Sequence, residues 1–153
     1  GLLLAEALER PFVDTDLIVE QVADQDIASV ITAEGKEGFR AREAAAVDRA
    51  GTGDTAVIAT GGGAVTDDAS RARIGHRGRV IHLTASVSVL LERTADTARP
   101  QILPDLSPEA EVRALLKTRG PLYTLVADVL LDTSHGSPAS LAARPLAWLS
   151  AGA

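Results

Sequence analysis

The sequence predicts an α/β fold with a parallel β-sheet covered by helices on both faces. Short apolar segments rich in β-branched residues have the composition of buried strands and lie at 11–16, 54–60, 79–84 and 128–132. Segments with helical spacing of apolar residues lie between them, and strands that alternate with helices run parallel. The length of 153 residues fits a single domain over 1–153.

Helices are predicted on both sides of these strands. The first covers residues 2–9, and Arg10-Pro11 ends it because the residue before a proline is disfavoured in the α region. Ser86 is placed to cap a helix. The remaining helices are expected at 16–23, 26–33, 36–50, 66–74, 87–94 and 138–150. Residues 95–108 are polar and proline-containing, which predicts a mobile lid.

The composition excludes several classes of function. Acidic residues number 21 against 15 basic ones, and the net charge of −6 is unsuited to binding phosphate backbones, so no nucleic-acid partner is expected. The absence of cysteine excludes disulfides, thiolate zinc sites and a cysteine nucleophile. No apolar run approaches the roughly 20 residues of a membrane-spanning helix, and no signal peptide is recognisable. A cytoplasmic protein without a membrane partner is therefore expected. A monomer is also expected, although nothing in the composition determines the oligomeric state.

Two carboxylates, Asp14 and Asp16, end the first predicted strand. One can face a hydrated Mg²⁺ ion while the other accepts hydrogen bonds from hydroxyl groups. Alternatively, one of them caps the helix that follows. Their position favours a ligand site, because ligands of open α/β sheets bind beyond the carboxyl ends of the strands.

Three consecutive glycines, Gly61, Gly62 and Gly63, follow the second predicted strand. Without Cβ atoms, their N–H groups can approach a ligand closely or form an anion-binding nest. The alternative is a plain tight turn. Because three glycines in a row cost chain entropy, their place at a strand end favours the ligand-binding interpretation.

Three arginines have distinctive settings: Arg40 follows a phenylalanine, Arg99 precedes a proline in the predicted lid, and Arg119 begins Arg-Gly-Pro-Leu-Tyr. Each guanidinium could bind a carboxylate or phosphate through two parallel hydrogen bonds, or could be a solvated surface charge. Glu43 lies one helical turn after Arg40 and can orient it, although such pairs are more often ordinary surface ion pairs. The histidines lack metal-site spacing and are interpreted as structural; they are His76, His82 and His135.

In order and approximate spacing, these motifs resemble the shikimate kinase family from Gly1 to about Thr133. The matching segments are Pro-Phe-Val-Asp-Thr-Asp (11–16), Gly-x-x-x-Phe-Arg-x-x-Glu (35–43), Val-Ile-Ala-Thr-Gly-Gly-Gly-Ala-Val (57–65), Glu-Arg-Thr (92–94), Arg-Pro (99–100), Arg-x-Pro-Leu-Tyr (119–123) and Ala-Asp (127–128). The resemblance implies a P-loop kinase-like three-layer fold and ATP-dependent phosphorylation of the shikimate 3-hydroxyl, in the pathway to the aromatic amino acids.

The resemblance also implies roles for the residues at the shikimate side of the site. Asp16 would bind the shikimate hydroxyls and act as the catalytic base. Arg40 and Arg119 would bind the substrate carboxylate, with Glu43 orienting Arg40. The backbone amides of Gly61–Gly63 would contact the substrate.

On the nucleotide side, the resemblance implies ATP and Mg²⁺ as the further ligands. Asp14 would belong to the magnesium shell, Arg93 would lie near the adenine, and Arg99 would reach the transferred phosphate. This chemistry suits phosphoryl transfer, which needs positioning and charge neutralisation more than covalent catalysis.

The chain departs from the family pattern at several positions. It contains no G-x-x-x-x-G-K-[ST] motif, and the strand expected before that motif, central in a five-stranded sheet, is missing from the sequence. Lys36 replaces the usual glutamate, Gln101-Ile102 replaces the usual Leu-Leu, and His135-Gly136 replaces a frequent arginine.

The missing motif leaves more than one functional hypothesis open. The chain as written is expected to be inactive. One alternative is a catalytically inactive domain that binds shikimate or a protein partner without using ATP. The other is a different small-molecule kinase of the same fold, such as a gluconate kinase, against which the motifs around Arg40 and Arg119 argue.

Overall fold

The computed structural model describes residues 1–53, 55–95 and 101–151. In this part of the chain, parallel strands alternate with helices, which confirms the predicted α/β class. All four predicted strands are present, each shorter than its apolar segment. They are β1 (Phe12–Asp14), β2 (Val57–Ala59), β3 (Ile81–Thr84) and β4 (Val129–Asp132).

The strands form two separate pairs among the described residues. In one pair β1 lies parallel to β2, with Phe12 opposite Val57. In the other β3 lies parallel to β4, with Ile81 opposite Val129. Each strand therefore has one edge without a strand partner in this part of the chain. A sheet that lacks its central strand would have such unpaired edges. The existence of a further, central strand stays a prediction.

Seven α-helices are described, together with a 3₁₀ turn at Ala64–Thr66. The helices are α1 (Leu2–Ala7), α2 (Thr15–Ala23), α3 (Ile27–Ala50), α4 (Asp68–Arg77), α5 (Val87–Thr94), α6 (Pro108–Val126) and α7 (Pro138–Ala151). The bounds of α5 are those predicted, and Ser86 caps it by accepting a hydrogen bond from the amide of Val89 at 3.4 Å. Within the described ranges, no helix has the length and apolar character needed to cross a membrane.

Helix α3 joins two helices that were predicted separately, at 26–33 and 36–50. It bends at Gly35, where φ is 72° and ψ is −178°. Only glycine adopts this conformation without strain, because it has no Cβ atom. The kink sets the direction of the second half of α3, which contains Arg40 and Glu43.

Helix α6 was not predicted from the sequence. It contains Pro121, which lacks the amide hydrogen that an interior helical position donates. The helix nevertheless continues through Pro121 and begins at a good cap, where Ser107 accepts a hydrogen bond from the amide of Ala110 at 3.3 Å. Of the predicted lid, residues 96–100 lie outside the described residues, and 101–107 form neither helix nor strand.

The hydrophobic core between α2 and α3 is aliphatic except for one aromatic ring. It consists of Val19 from α2 and Val30, Phe39 and Ala46 from α3, all buried. These contacts fix α2 against both halves of α3, so the two helices that bear Asp16 and Arg40 form one packed unit.

Candidate functional site

The three glycines form a loop between β2 and the 3₁₀ turn, and hydrogen bonds fix this loop at both ends. The amide of Gly61 donates to Oγ1 of Thr15 at 3.3 Å, and Thr15 is fully buried at the start of α2. The carbonyl of Gly63 accepts from the amide of Thr66 at 2.9 Å and from its hydroxyl at 2.7 Å. The glycine loop therefore has one defined position next to α2.

Side chains from α2 and α3 lie against the two ends of the glycine loop. A Cβ atom added at Gly61 would lie 2.6 Å from Oε1 of Glu43 and 2.9 Å from Oδ1 of Asp16. One added at Gly63 would overlap the guanidinium of Arg40. Both distances at Gly61 are shorter than real Cβ contacts, so glycine is required for this close packing of side chains against backbone.

Arg40 and Glu43 are paired as the sequence suggested. The guanidinium Nη1 of Arg40 donates to Oε2 of Glu43, one helical turn away. The Glu43 side chain is only 3% exposed, whereas that of Arg40 is 32% exposed. Burial raises the pKa of Glu43 above its usual value, the nearby Asp16 raises it further, and Arg40 and Arg119 act in the opposite direction. Buried Glu43 thus orients an arginine that solvent or a ligand can still reach.

Helix α6 contributes Arg119 and Tyr123 to the middle of the glycine loop. The carbonyl oxygen of Gly62 accepts hydrogen bonds from Nη1 of Arg119 at 3.2 Å and from the Tyr123 hydroxyl at 2.5 Å. Arg119 is 8% exposed, which is unusual for an arginine and requires such partners. The ring of His82 lies 4.7 Å from that of Tyr123, in agreement with a structural histidine.

Thr15 and Tyr123 were not predicted from the sequence to be site residues. Thr15 stands between the two aspartates, and Tyr123 was noted only as the end of Arg-x-Pro-Leu-Tyr. The arginine and the tyrosine lie four residues apart, so they share one face of a helix. A helix prediction through Pro121 would therefore have grouped Tyr123 with Arg119.

The amide of Gly62 is exposed and available to a ligand, whereas Gly63 is buried against Arg40. Within the described ranges, the N–H groups of Gly62 and Gly63 donate no hydrogen bond, while that of Gly61 is engaged by Thr15. The exposed amide of Gly62 lies beside two guanidinium groups, and this arrangement favours an anion. The arrangement suits a small molecule with a carboxylate and hydroxyl groups, because Asp16 lies at the same loop.

Asp14 caps α2, the alternative considered for this pair of aspartates. Its Oδ1 accepts a hydrogen bond from the amide of Asp16 at 2.9 Å, while Oδ2 accepts none within the described part of the chain. No group of three or more potential metal-binding side chains is present among those residues. A single free carboxylate oxygen fits a Mg²⁺ ion that obtains its other ligands from phosphate and water, as this ion commonly does.

Arg93 lies at the carboxyl ends of the other strand pair. Its guanidinium donates to Oγ1 of Thr133 at 3.0 Å and to the carbonyl of the same residue at 2.6 Å. Oγ1 of Thr133 in turn donates to the carbonyl of Thr84 at 2.9 Å. Arg93 is therefore fixed where β3 and β4 end, rather than at the glycine loop. Arg99 lies outside the described residues.

Comparisons with known proteins identify the family of this chain. A family model described as shikimate kinase matches residues 1–150. A shikimate kinase of Halorhodospira halophila is 46% identical over 145 residues, covering 94% of this chain and 81% of the relative. A shikimate kinase of Symbiobacterium thermophilum is 45% identical over 139 residues, covering 90% of this chain and 80% of the relative.

Solved structures give the same result. The shikimate kinase from Acinetobacter baumannii, in complex with shikimate, superposes with a TM-score of 0.92 at 36% sequence identity. The superposition covers 99% of this chain and 85% of that one. By sequence and by fold, the chain therefore belongs to the shikimate kinase family of ATP-dependent kinases.

Proposed function

We propose that this protein transfers the terminal phosphoryl group of ATP to the 3-hydroxyl of shikimate, in the cytoplasm, as a step in aromatic amino acid biosynthesis. One observation carries the proposal: α2, α3 and α6 bring Asp16, Arg40 and Arg119 to a single glycine loop. A carboxylate and two guanidinium groups complement a substrate that has several hydroxyl groups and one carboxylate.

The substrate carboxylate binds to Arg40 and Arg119. A guanidinium matches a carboxylate in shape and offers two parallel N–H donors, which makes arginine better suited than lysine. The buried Glu43 carboxylate fixes Arg40, and the carbonyl of Gly62 fixes Arg119. Two oriented guanidinium groups lose little conformational freedom on binding, so they give affinity as well as orientation.

Asp16 accepts the proton of the attacking 3-hydroxyl. It lies in the first turn of α2 and against Gly61, so its carboxylate is fixed by the same packing that positions the loop. The exposed amide of Gly62 holds the substrate beside it. This positioning supplies most of what phosphoryl transfer requires from the protein.

The nucleotide site involves Asp14 at the end of β1 and Arg93 at the ends of β3 and β4. Asp14 would hold Mg²⁺ through Oδ2, and the ion neutralises the charge of the phosphates when bound. Arg93 would lie near the adenine, and Arg99 of the predicted lid would contact the transferred phosphate. A further strand with a phosphate-binding loop would pair with the open strand edges and complete the sheet.

The proposal is tested by ADP release from the full-length protein with shikimate, ATP and Mg²⁺, with the product identified by mass spectrometry. We expect shikimate-dependent turnover of about 1–100 s⁻¹. The variant Asp16→Asn should lower kcat by about 100-fold or more. The exposed Asp105 provides the matched control, and Asp105→Asn should leave kcat unchanged.

Other outcomes discriminate between the hypotheses. Residues 1–153 alone lack the phosphate-binding motif and are expected not to release ADP. Shikimate binding by the full-length protein without any ADP release would support an inactive binding domain and contradict the proposal. Turnover of gluconate in preference to shikimate would assign the protein to another small-molecule kinase.

A further inference from the structure

We propose that Lys36 is a positioning residue that, together with Glu111, fixes the helices bearing Arg40 and Arg119 relative to each other. The inference rests on the proposed function, because it concerns the affinity of the site for shikimate. It assigns a role to two polar residues that lie outside the glycine loop and do not contact it.

A bridge of hydrogen bonds joins α3 to α6 through the chain at Ile102 and Leu103. The ammonium group of Lys36 donates to the carbonyl of Ile102 at 2.8 Å. Oε1 of Glu111, in the first turn of α6, accepts from the amides of Ile102 at 2.6 Å and Leu103 at 3.1 Å. The positively charged Lys36 thus binds a carbonyl of this short segment, and the negatively charged Glu111 binds two of its amides. Each charged side chain contacts peptide atoms of the opposite partial charge.

The bridge is continuous with the substrate-binding face of α3. Lys36 is the first residue after the Gly35 kink, and Arg40 and Glu43 follow at helical spacings of four and seven residues. These three side chains therefore lie along one face of the second half of α3. The hydrogen bond of Lys36 therefore restrains the second half of α3 at its first residue, next to the kink at Gly35.

In the described part of the chain, the carboxylate groups near Lys36 do not pair with it. The carboxylate of Glu34, on the other side of the kink, is engaged by Arg42 at 2.8 Å and 2.6 Å. No ion pair of Lys36 is present among the described residues. Its hydrogen bond to Ile102 is therefore its main attachment.

Lys36 and Ile102 are also two positions at which the chain departs from the family pattern. A glutamate at position 36 could not donate a hydrogen bond to the carbonyl of Ile102, because an ionised carboxylate only accepts. The acceptor is the main-chain carbonyl of Ile102, which any residue at position 102 would supply, so only the departure at position 36 bears on this contact. This supports a specific function of the lysine beyond solubility.

The kinetic test compares Lys36→Met with Lys117→Met in the full-length protein. Lys117 is the only other lysine of the chain and is exposed on α6, so it is a matched control. We expect Lys36→Met to raise KM for shikimate about three- to tenfold, with kcat, KM for ATP and Tm unchanged. The variant Lys36→Arg, which can still donate, should restore KM. Equal KM values for Lys36→Met and Lys117→Met would overturn the inference.

A double-mutant cycle tests the coupling through the shared segment. Glu111→Leu should raise KM for shikimate as Lys36→Met does, and the double variant should be no worse than the more affected single variant. If the two increases instead multiply, the residues act independently and the bridge has no role.

Amide exchange separates failure of this inference from failure of the proposed function. In the protein without substrate, Lys36→Met should speed exchange at Ile102 and Leu103, and Lys117→Met should not. Absence of shikimate-dependent ADP release from the unmodified protein would refute the proposed function. Unchanged exchange at both amides would refute the bridge whether or not the enzyme is active.

Discussion

Arg40 and Glu43 form an ion pair in which the carboxylate is buried and the guanidinium remains partly exposed. Removing the buried acceptor leaves the partly exposed guanidinium to water, so the arginine loses the partner that orients it. Because the same carboxylate lies against Gly61, it links the arginine to the glycine loop. The pair is therefore central to both the stability of the site and its affinity for an anion.

Replacing Glu43 should impair substrate binding more than catalysis. In Glu43→Ala, Arg40 loses its partner, and we expect KM for shikimate to rise about tenfold or more while kcat falls less. Glu43→Gln should have a smaller effect, since its amide oxygen still accepts from Arg40. Steady-state kinetics with varied shikimate provides the measurement. Glu34→Gln, at an exposed ion pair with Arg42, is the control; an equal effect there would contradict the role of Glu43.

Glu43 should also make stability depend on pH. Burial raises its pKa above 4.5, so its contribution to stability is complete below that value and is lost as pH rises through the folded-state pKa. The pKa values of Asp67 and Asp132 are lowered by hydrogen bonds to Ser70 and Ser134, so their contributions are instead lost on acidification below 3.8.

Urea unfolding of the unmodified protein and Glu43→Gln isolates the effect of Glu43. The stability of the unmodified protein relative to the variant should decrease as pH rises from 4.5 and become constant above the folded-state pKa. A stability difference that does not change with pH would show that Glu43 titrates normally.

Arg119 should contribute strongly to shikimate affinity. Arg119→Lys keeps the charge but loses the planar guanidinium that contacts the carbonyl of Gly62, and we expect Kd to rise by roughly 10- to 100-fold. Calorimetric titration with shikimate measures this. Arg113→Lys on the same helix affects only an exposed pair with Glu109 and should bind normally. Similar Kd values for the two variants would remove Arg119 from the site.

The glycine loop should not tolerate a methyl group at Gly61. A Cβ atom there lies 2.6 Å from Glu43 and 2.9 Å from Asp16, so both carboxylates must move. We expect Gly61→Ala to lower kcat/KM by about 100-fold or more. At Gly75, in α4, the nearest atom is Cγ1 of Val126 at 3.9 Å, so Gly75→Ala should retain activity and raise Tm. Normal kinetics of Gly61→Ala would contradict the close packing.

Local patterns predicted much of the fold. Ser86 and the apolar spacing after it defined α5, and the β-branched segments located all four strands. The continuity of α6 through Pro121 could not be predicted, because a proline is locally unfavourable and only contacts with the rest of the fold compensate for it.

The candidate site could be predicted only in part. The resemblance assigned roles to Asp16, Arg40 and Arg119, but the contact of Arg119 with Gly62 spans 57 residues of sequence. Such a contact depends on how the helices pack around the loop, which no local pattern encodes. The same reason explains why the bridge from Lys36 to Glu111 became evident only in the structure.

A crystal structure of the full-length protein with bound shikimate tests the central claim most directly. The proposed site predicts that the carboxylate of shikimate contacts the guanidinium groups of Arg40 and Arg119, and that a ring hydroxyl lies within hydrogen-bond distance of Asp16. Shikimate bound away from the glycine loop, or bound there with its carboxylate directed away from both arginines, would contradict the account.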